Sequence, residues 1–457
     1  MNKKVIAVLA VTIALFSVAA TRRRATLPPT TPATIPLDAN RSFAVTELTI
    51  LEGFSFKQTM NWLVAGSGTT PEKLIRQMFD TQNPSPGMAD SASSHCDDFL
   101  VNGTPTFNGF PRRCPTPEAQ FAGVQPDLNA FIPLALINRF DMAPADGANC
   151  GQYRIIYEAY PRPSLIHLNF EAVLPNAHPE QGLAGCKAVA QFWADLSGVD
   201  SMIERRARLE KFFYEGIAGF EPVVKAAHYT AAAGGSIRTR QIFVGINSRG
   251  WRSYEFHLDQ QCPASGLCSL RFVPEVLENF PFGPMFDANV DTPSARAFRE
   301  SFLEQVPLLA VNDLNRYRMN VDRKFLMVES DPVDDVFAFR YSEPFRQSQS
   351  TDAGKAFRAQ IADKLAGIGS TLTPEDIVAR AETQTCNGCH FVPQSVGGGL
   401  IFPGALDGSH IKFLIPGTGG PEARWGVSGA MEKVFIPNRM QILREFLQSG
   451  KAPNGSN

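Results

Sequence analysis

From Ile166 to Leu174 every second residue is apolar: Ile166, Leu168, Phe170, Ala172 and Leu174 fall on one face of an extended segment. That period of two predicts a strand with one buried side. Tyr153–Tyr157 predicts another, and Arg240–Ile246 and Trp251–Leu258 predict a pair joined by a short turn at Ser248-Arg249-Gly250. Lys324–Val328 reads as a further strand. Helical spacing is interleaved with these segments. It covers Leu51–Val64, Val189–Leu196, Met202–Tyr214 and Ala295–Val306, and Thr70-Pro71-Glu72 opens one more helix with Thr70 as cap and Pro71 in its first turn. Between Asp80 and Gln125 the chain reads as loop. Because strands and helices do not alternate strictly, residues 43–347 are expected to form an α+β domain rather than a doubly wound sheet.

Around Ser348–Asp352 the pattern turns purely helical. Phe357, Ile361 and Leu365 stand four apart on one stripe. Thr373 caps a second helix, with Pro374 in its first turn, Asp376 at the capping-box position, and Ile377, Val378 and Ala381 on its apolar side. That helix is expected to run straight into Cys386. A last helix, Asn438–Gln448, carries Met440, Leu443 and Leu447 along one face. Residues 348–457 are therefore expected to be a separate all-α domain.

Composition adds bounds to this picture. With 457 residues, 44% apolar and 19% charged, the chain suits a globular protein of two or more domains. A formal net charge of −2 gives no reason to expect nucleic acid or an anionic membrane as partner. Lys3 and Lys4 precede an apolar run from Val5 to Ala20 that ends in Val18-Ala19-Ala20, the pattern of a secretory signal over residues 1–20. Arg22, Arg23 and Arg24 follow at once, and positive charge there hinders translocation; an uncleaved N-terminal anchor is the alternative, although 16 apolar residues are short for a bilayer span. Residues 21–42, rich in Pro and Thr, read as a flexible linker. No later stretch is apolar enough to span a membrane, so the mature chain is expected in the periplasm or outside the cell.

Eight cysteines fit that destination. Six fall into sequence-local pairs, and the expected disulfides are Cys96–Cys114, Cys150–Cys186 and Cys262–Cys268. The other two belong to Cys386-Asn387-Gly388-Cys389-His390, the haem-attachment spacing. Two thiols three positions apart can each add across a haem vinyl group, and the adjacent His390 can then reach the iron. A thioredoxin-like pair would want a strand ahead of it, and a zinc site would want a second ligand pair, which does not follow.

On these residues the last hundred or so positions resemble a class I cytochrome c domain: a leading helix, the attachment motif, and Phe402-Pro403-Gly404-Ala405-Leu406, similar to the family's Gly-Pro-x-Leu loop. The resemblance implies one covalent haem c on Cys386 and Cys389, His390 as proximal iron ligand, and the Pro403 carbonyl accepting the His390 ring N–H. It also implies a closing helix packed on the first.

The sixth ligand stays open. Met431, just before the last helix, is the first candidate, and His410 in a Gly/Ser loop is the second. Met440 fits better as a core residue, and a vacant position would allow catalysis. His167, His178, His228 and His257 read as surface or hydrogen-bonded histidines rather than ligands. Asp287, Asn289 and Asp291 alternate like calcium ligands but lack a closing Glu. Asp331, Asp334 and Asp335 read as a solvated loop. The expected function is electron transfer in the cell envelope with a redox partner protein. The alternatives are a haem oxidoreductase of peroxidase type and a redox or gas sensor; a single attachment motif argues against di-haem peroxidases.

Overall fold

The period-two segments are realised as strands of one large antiparallel sheet. The computed structural model describes residues 36–159, 165–244, 249–330, 340–385, 411–414, 420 and 423–451. The chain enters through helix α1 (Ala39–Ser42), capped by the Asp38 carboxylate accepting the Asn40 and Arg41 amides at 2.8 and 3.1 Å. Strand β1 (Ala44–Val45) and helices α2 (Leu48–Leu51), α3 (Phe56–Leu63) and α4 (Pro71–Asp80) follow. Thr70 caps α4, its hydroxyl accepting the Lys73 amide at 3.2 Å. Leu51–Val64 is two helices rather than one, because the chain turns at residues 52–55 and Ser55 caps α3.

The long loop after α4 holds a small sheet of β2 (Leu100–Val101), β3 (Thr104–Phe107) and β4 (Phe110–Pro111). Its first part is gathered onto one buried carboxylate. Asp80 accepts the backbone amides of Met88, Ala89 and Asp90 at 2.7–2.9 Å, and His95 Nε2 lies 3.5 Å away. Burial alone would raise the Asp80 pKa, but these amides and the Asn83 side chain outweigh it and hold it below the ordinary value.

The main sheet comprises β5 (Phe131–Arg139), β6 (Asn149–Ala159), β7 (Leu165–Pro175), β8 (Ser236–Val244), β9 (Arg249–Gln261) and β10 (Ser269–Glu275). Its spatial order is β1-β5-β6-β7-β8-β9-β10, every neighbour antiparallel, with β11 (Glu329–Ser330) added beside β9. Register puts Tyr153 opposite Ala172, Ile155 opposite Phe170, and Tyr157 opposite Leu168, all fully buried. Phe170 faces Ile237, which faces Phe256. Helices α3, α5 (Lys187–Leu196) and the turn after α6 (Met202–Glu210) cover this side with Phe56, Trp193 and Phe212. Ring centroids lie 5.2 Å apart for Phe56–Tyr157 and 5.8 Å for Tyr153–Trp193. Each such fully buried ring stabilises the fold by about 2–3 kcal/mol. The buried tyrosine hydroxyls need partners, and the Thr59 hydroxyl supplies one to Tyr157 at 2.6 Å and one to Tyr214 at 2.7 Å.

A second core is helical: α7 (Pro293–Leu303), α8 (Val306–Leu309), α9 (Ser342–Gln347), α10 (Asp352–Gly367) and α11 (Pro374–Glu382). The Phe357–Ile361–Leu365 stripe is buried in it beside Phe302 and Phe345. This packing overturns the expected all-α cytochrome fold for residues 348–457. Helices α10 and α11 share their core with α7, α8 and α9, and the segment also contributes an antiparallel strand pair, β12 (Ile411–Leu414) and β13 (Trp425–Val427). The last helix, α12 (Ile436–Ser449), packs on α1, α5 and the turn at Phe140–Met142, with Phe446 4.8 Å from Phe140, instead of on α11, the helix ahead of Cys386. Periodicity located helices at Asp352–Gly367, Pro374–Glu382 and Ile436–Ser449. A stripe shows that a face is buried, though, and not which element buries it. The described residues form one compact, mixed α/β unit beginning at Pro36.

Two smaller expectations change as well. Lys324–Val328 is not a strand: Arg323–Phe325 makes a 3₁₀ turn and the strand is β11. The buried side of α12 is Ile436, Arg439, Leu443 and Phe446, one step round from the Met440–Leu443–Leu447 stripe. The three disulfides pair as expected: Cys96–Cys114, Cys150–Cys186 and Cys262–Cys268. No helix among the described residues is long and apolar enough to cross a membrane.

Candidate functional site

Cys386, Cys389, His390, Pro403 and His410 lie outside the described residues, and so do Asp331, Asp334 and Asp335. The stem that leads to the cysteines is described. At its start Thr373 and Asp376 form a reciprocal capping box, each side chain accepting the other's amide at 3.1 and 2.8 Å. At its far end Arg380 is fully buried and donates to the carbonyls of Leu309 and Val311 and to Asn312 Oδ1, at 2.7–3.2 Å. The Thr383 hydroxyl donates to the Arg380 carbonyl and meets the Tyr317 hydroxyl, both at 2.6 Å. Thr385, buried beside Cys386, donates to the Glu382 carbonyl at 2.8 Å. Glu382 itself accepts the Ser342 amide at 3.1 Å, and burial pushes its carboxyl up. The helix therefore stops at Glu382, and three tightly bonded residues carry the chain to Cys386. Capping by Thr383 and Thr385 ends it sooner than the apolar pattern implied.

Met431 opens a π-helical turn immediately before α12. It is 9% exposed, and its amide donates to Ser428 Oγ at 3.2 Å. His167, His178, His228 and His257 each sit beside a carboxylate: Glu158 at 3.7 Å, Glu180 at 3.9 Å, Glu221 at 3.6 Å and Glu275 at 3.4 Å respectively. Among the described residues no three His, Cys, Asp or Glu gather as a metal site. The Asp287–Asp291 loop has another centre. Its carbonyls at Asp287 and Val290, with that of Met285, accept the Arg299 guanidinium at 3.0–3.2 Å, and the Asp291 carboxylate pairs with Arg296.

A second constellation lies on the side of the sheet opposite the aromatic core. There the alternate positions are charged, and their charges alternate across the strands. Arg154 on β6 meets Glu171 on β7 at 3.3 Å; Glu171 also stands 4.0 Å from Arg238 on β8, which binds Glu255 on β9 at 2.8 Å. Beyond them His257 contacts Glu275, which pairs with Arg323. At the other end Arg139 grips Asp141 through three contacts of 2.9–3.1 Å, and Arg439 from α12 approaches the same carboxylate at 3.7 Å. These groups are not a solvated surface: Glu171 is 1% exposed and Asn169 is 4% exposed.

Burial and position set their protonation. Burial and the neighbouring Glu171 raise the Glu255 pKa, against the pull of Arg238. Burial would raise Asp141 too, but Arg139, Arg439 and Arg154 hold it below the ordinary value. Burial, with Arg139 and Arg154 close by, pushes the Arg439 guanidinium down to about 9, so it stays protonated at neutral pH. A buried row of fixed charges can hold an ionised ligand, or bias the charge state of a group placed beside it, without reorganising. The sequence carried the signal in the residues that alternate with the apolar positions of β7, namely His167, Asn169 and Glu171, yet alternation alone reads as a solvent face. His95, paired with Asp80, also escaped notice because nothing local marks it.

No family model matches the chain, and neither does any curated protein or solved structure.

Proposed function

We propose that the chain is an exported c-type cytochrome that carries one covalent haem and transfers electrons in the cell envelope. The observation that carries this reading is Cys386-Asn387-Gly388-Cys389-His390 following three residues after an anchored helix, while the other six cysteines pair off in three disulfides. The donor set suits the group: two thiols at attachment spacing and an imidazole beside the second. Cys386 and Cys389 would tether the haem, His390 would bind its iron, and Pro403 would orient the His390 ring through the carbonyl. When bound, the haem supplies one-electron chemistry at iron. The stem's own part is to anchor the chain up to Thr385, through Thr385, Thr383 and Arg380. Three disulfides suit an oxidising compartment, and a redox partner protein would deliver or accept the electrons.

The test is to produce the full chain in cells that export it and attach haem, then record pyridine haemochrome spectra and stain a denaturing gel for haem. Covalent haem that is lost in a Cys386→Ala/Cys389→Ala variant supports the reading. Exported protein without covalent haem overturns it.

A further inference from the structure

The charged side of the sheet ends in an imbalance. Around the single carboxylate of Asp141 stand Arg139, Arg439 and Arg154, each close enough to lower its pKa. Arg139 satisfies Asp141 bidentately, and Arg154 divides itself between Gln152 Oε1 at 2.6 Å and Glu171. Glu171 is in turn shared with Arg238, which also neutralises Glu255. Among the described residues from Arg139 to Glu255, Arg139, Arg154, Arg238 and Arg439 face Asp141, Glu171 and Glu255, while Glu158, further along β6, lies beside His167. The more distant Glu278, which adds to the field at Arg139, is exposed to solvent. The shortfall falls on Arg439: it is 8% exposed, and its Nη1 has no hydrogen-bond partner. An unmatched buried guanidinium N–H is costly, because it leaves water without a replacement acceptor.

We propose that Arg439, with Arg139 and Arg154, forms a seat for a carboxylate brought by a ligand. A planar carboxylate matches a guanidinium fork, and neutralising the surplus charge would satisfy the orphan N–H. The seat lies where α12 crosses the end of β5, so it ties the C-terminal segment to the sheet. Two sources share this chemistry: a free organic acid, and a propionate of the haem under the function proposed above. The seat does not depend on that function, but the second source does.

The probe is succinate. Melting midpoints of the full chain would be compared in succinate and in chloride at equal ionic strength, for haem-loaded protein, for the haem-free Cys386→Ala/Cys389→Ala form, and for Arg439→Gln and Arg439→Lys in each. The expected result is a succinate-dependent rise of several degrees in the haem-free form, absent in Arg439→Gln and reduced in Arg439→Lys, which keeps the charge but loses the fork. The same rise in the haem-loaded form identifies a free acid as occupant. A rise confined to the haem-free form identifies the propionate. If the chain proves to carry no haem, the comparison in the protein as isolated still decides whether the seat exists. No succinate effect in either form, or an equal effect in wild type and both variants, overturns the proposal. Should Arg439→Gln fail to fold, the Arg439→Lys comparison decides alone.

Discussion

The two sides of the central sheet are both buried and are built by opposite means. On one, Tyr153, Ile155, Tyr157, Leu168 and Phe170 pack against aromatic rings from helices, and the hydrophobic effect accounts for the arrangement. On the other, Arg154, Glu171, Arg238 and Glu255 are largely withdrawn from water and pair across the strands, and Gln152 adds a bond to Arg154. Ion pairs of that kind add little net stability, since desolvation cancels most of their attraction. A fold seeking stability alone would fill those positions with valine and leucine. The contrast separates what the sheet needs to fold from what it is charged for, and it directs attention to the polar side.

The largest expected effect breaks the apolar side. Phe170→Ala, at a fully buried ring touching Phe56, Tyr157 and Tyr229, should lower the unfolding free energy by about 3–5 kcal/mol in urea melts. A loss below about 1 kcal/mol would show that this core is loosely packed. On the charged side, Arg238→Met should cost about 2–3 kcal/mol, because it leaves Glu171 and Glu255 facing each other without their shared cation. Adding Glu255→Leu should restore most of that loss. If the double variant stays as unstable as the single one, the row of charges is a structural girder after all.

Much of this fold was legible in the chain. The strands at Tyr153–Tyr157 and Ile166–Leu174, the caps at Thr70 and Thr373, and all three disulfides stand where pattern and spacing put them. What failed was anything that depended on the partner of a face. The α10 stripe met α7 and α9 rather than α12, and the polar alternation of β7 turned out to be buried. Local periods record that a side chain leaves water, and long-range packing decides against what. The spacing of Cys386, Cys389 and His390 can be read locally, whereas the cluster at Asp141 draws Arg139, Arg154 and Arg439 from three elements spread over 300 residues.

A smaller effect calibrates both sides against a region that belongs to neither. Thr373→Ala removes the cap of α11 and should cost about 1 kcal/mol, without altering any response to pH or to succinate. A change in haem content would show that the stem's position also governs attachment.

The smallest effect is a sign. Within the charged side, Asp141 and Glu255 are shifted in opposite directions: Asp141 lies below its ordinary value of 3.8 and Glu255 above its ordinary value of 4.5. A depressed acid contributes stability that is complete above the unfolded value and is lost as pH falls below it. A raised acid behaves the other way, and its contribution drains away as pH climbs past the unfolded value, because the folded state holds the proton longer. The stability difference between wild type and Asp141→Asn should therefore grow as pH rises toward about 4 and then stay flat. The difference between wild type and Glu255→Gln should shrink as pH rises beyond about 4.5, in both cases by no more than about 1.4 kcal/mol per pH unit. Urea melts between pH 3 and pH 7 would read both slopes. Slopes of the same sign would mean that the surplus of arginine at Asp141 and the crowding of carboxylates at Glu255 do not exist in solution, and the charged side would then be an evenly paired lattice with no end marked for a ligand.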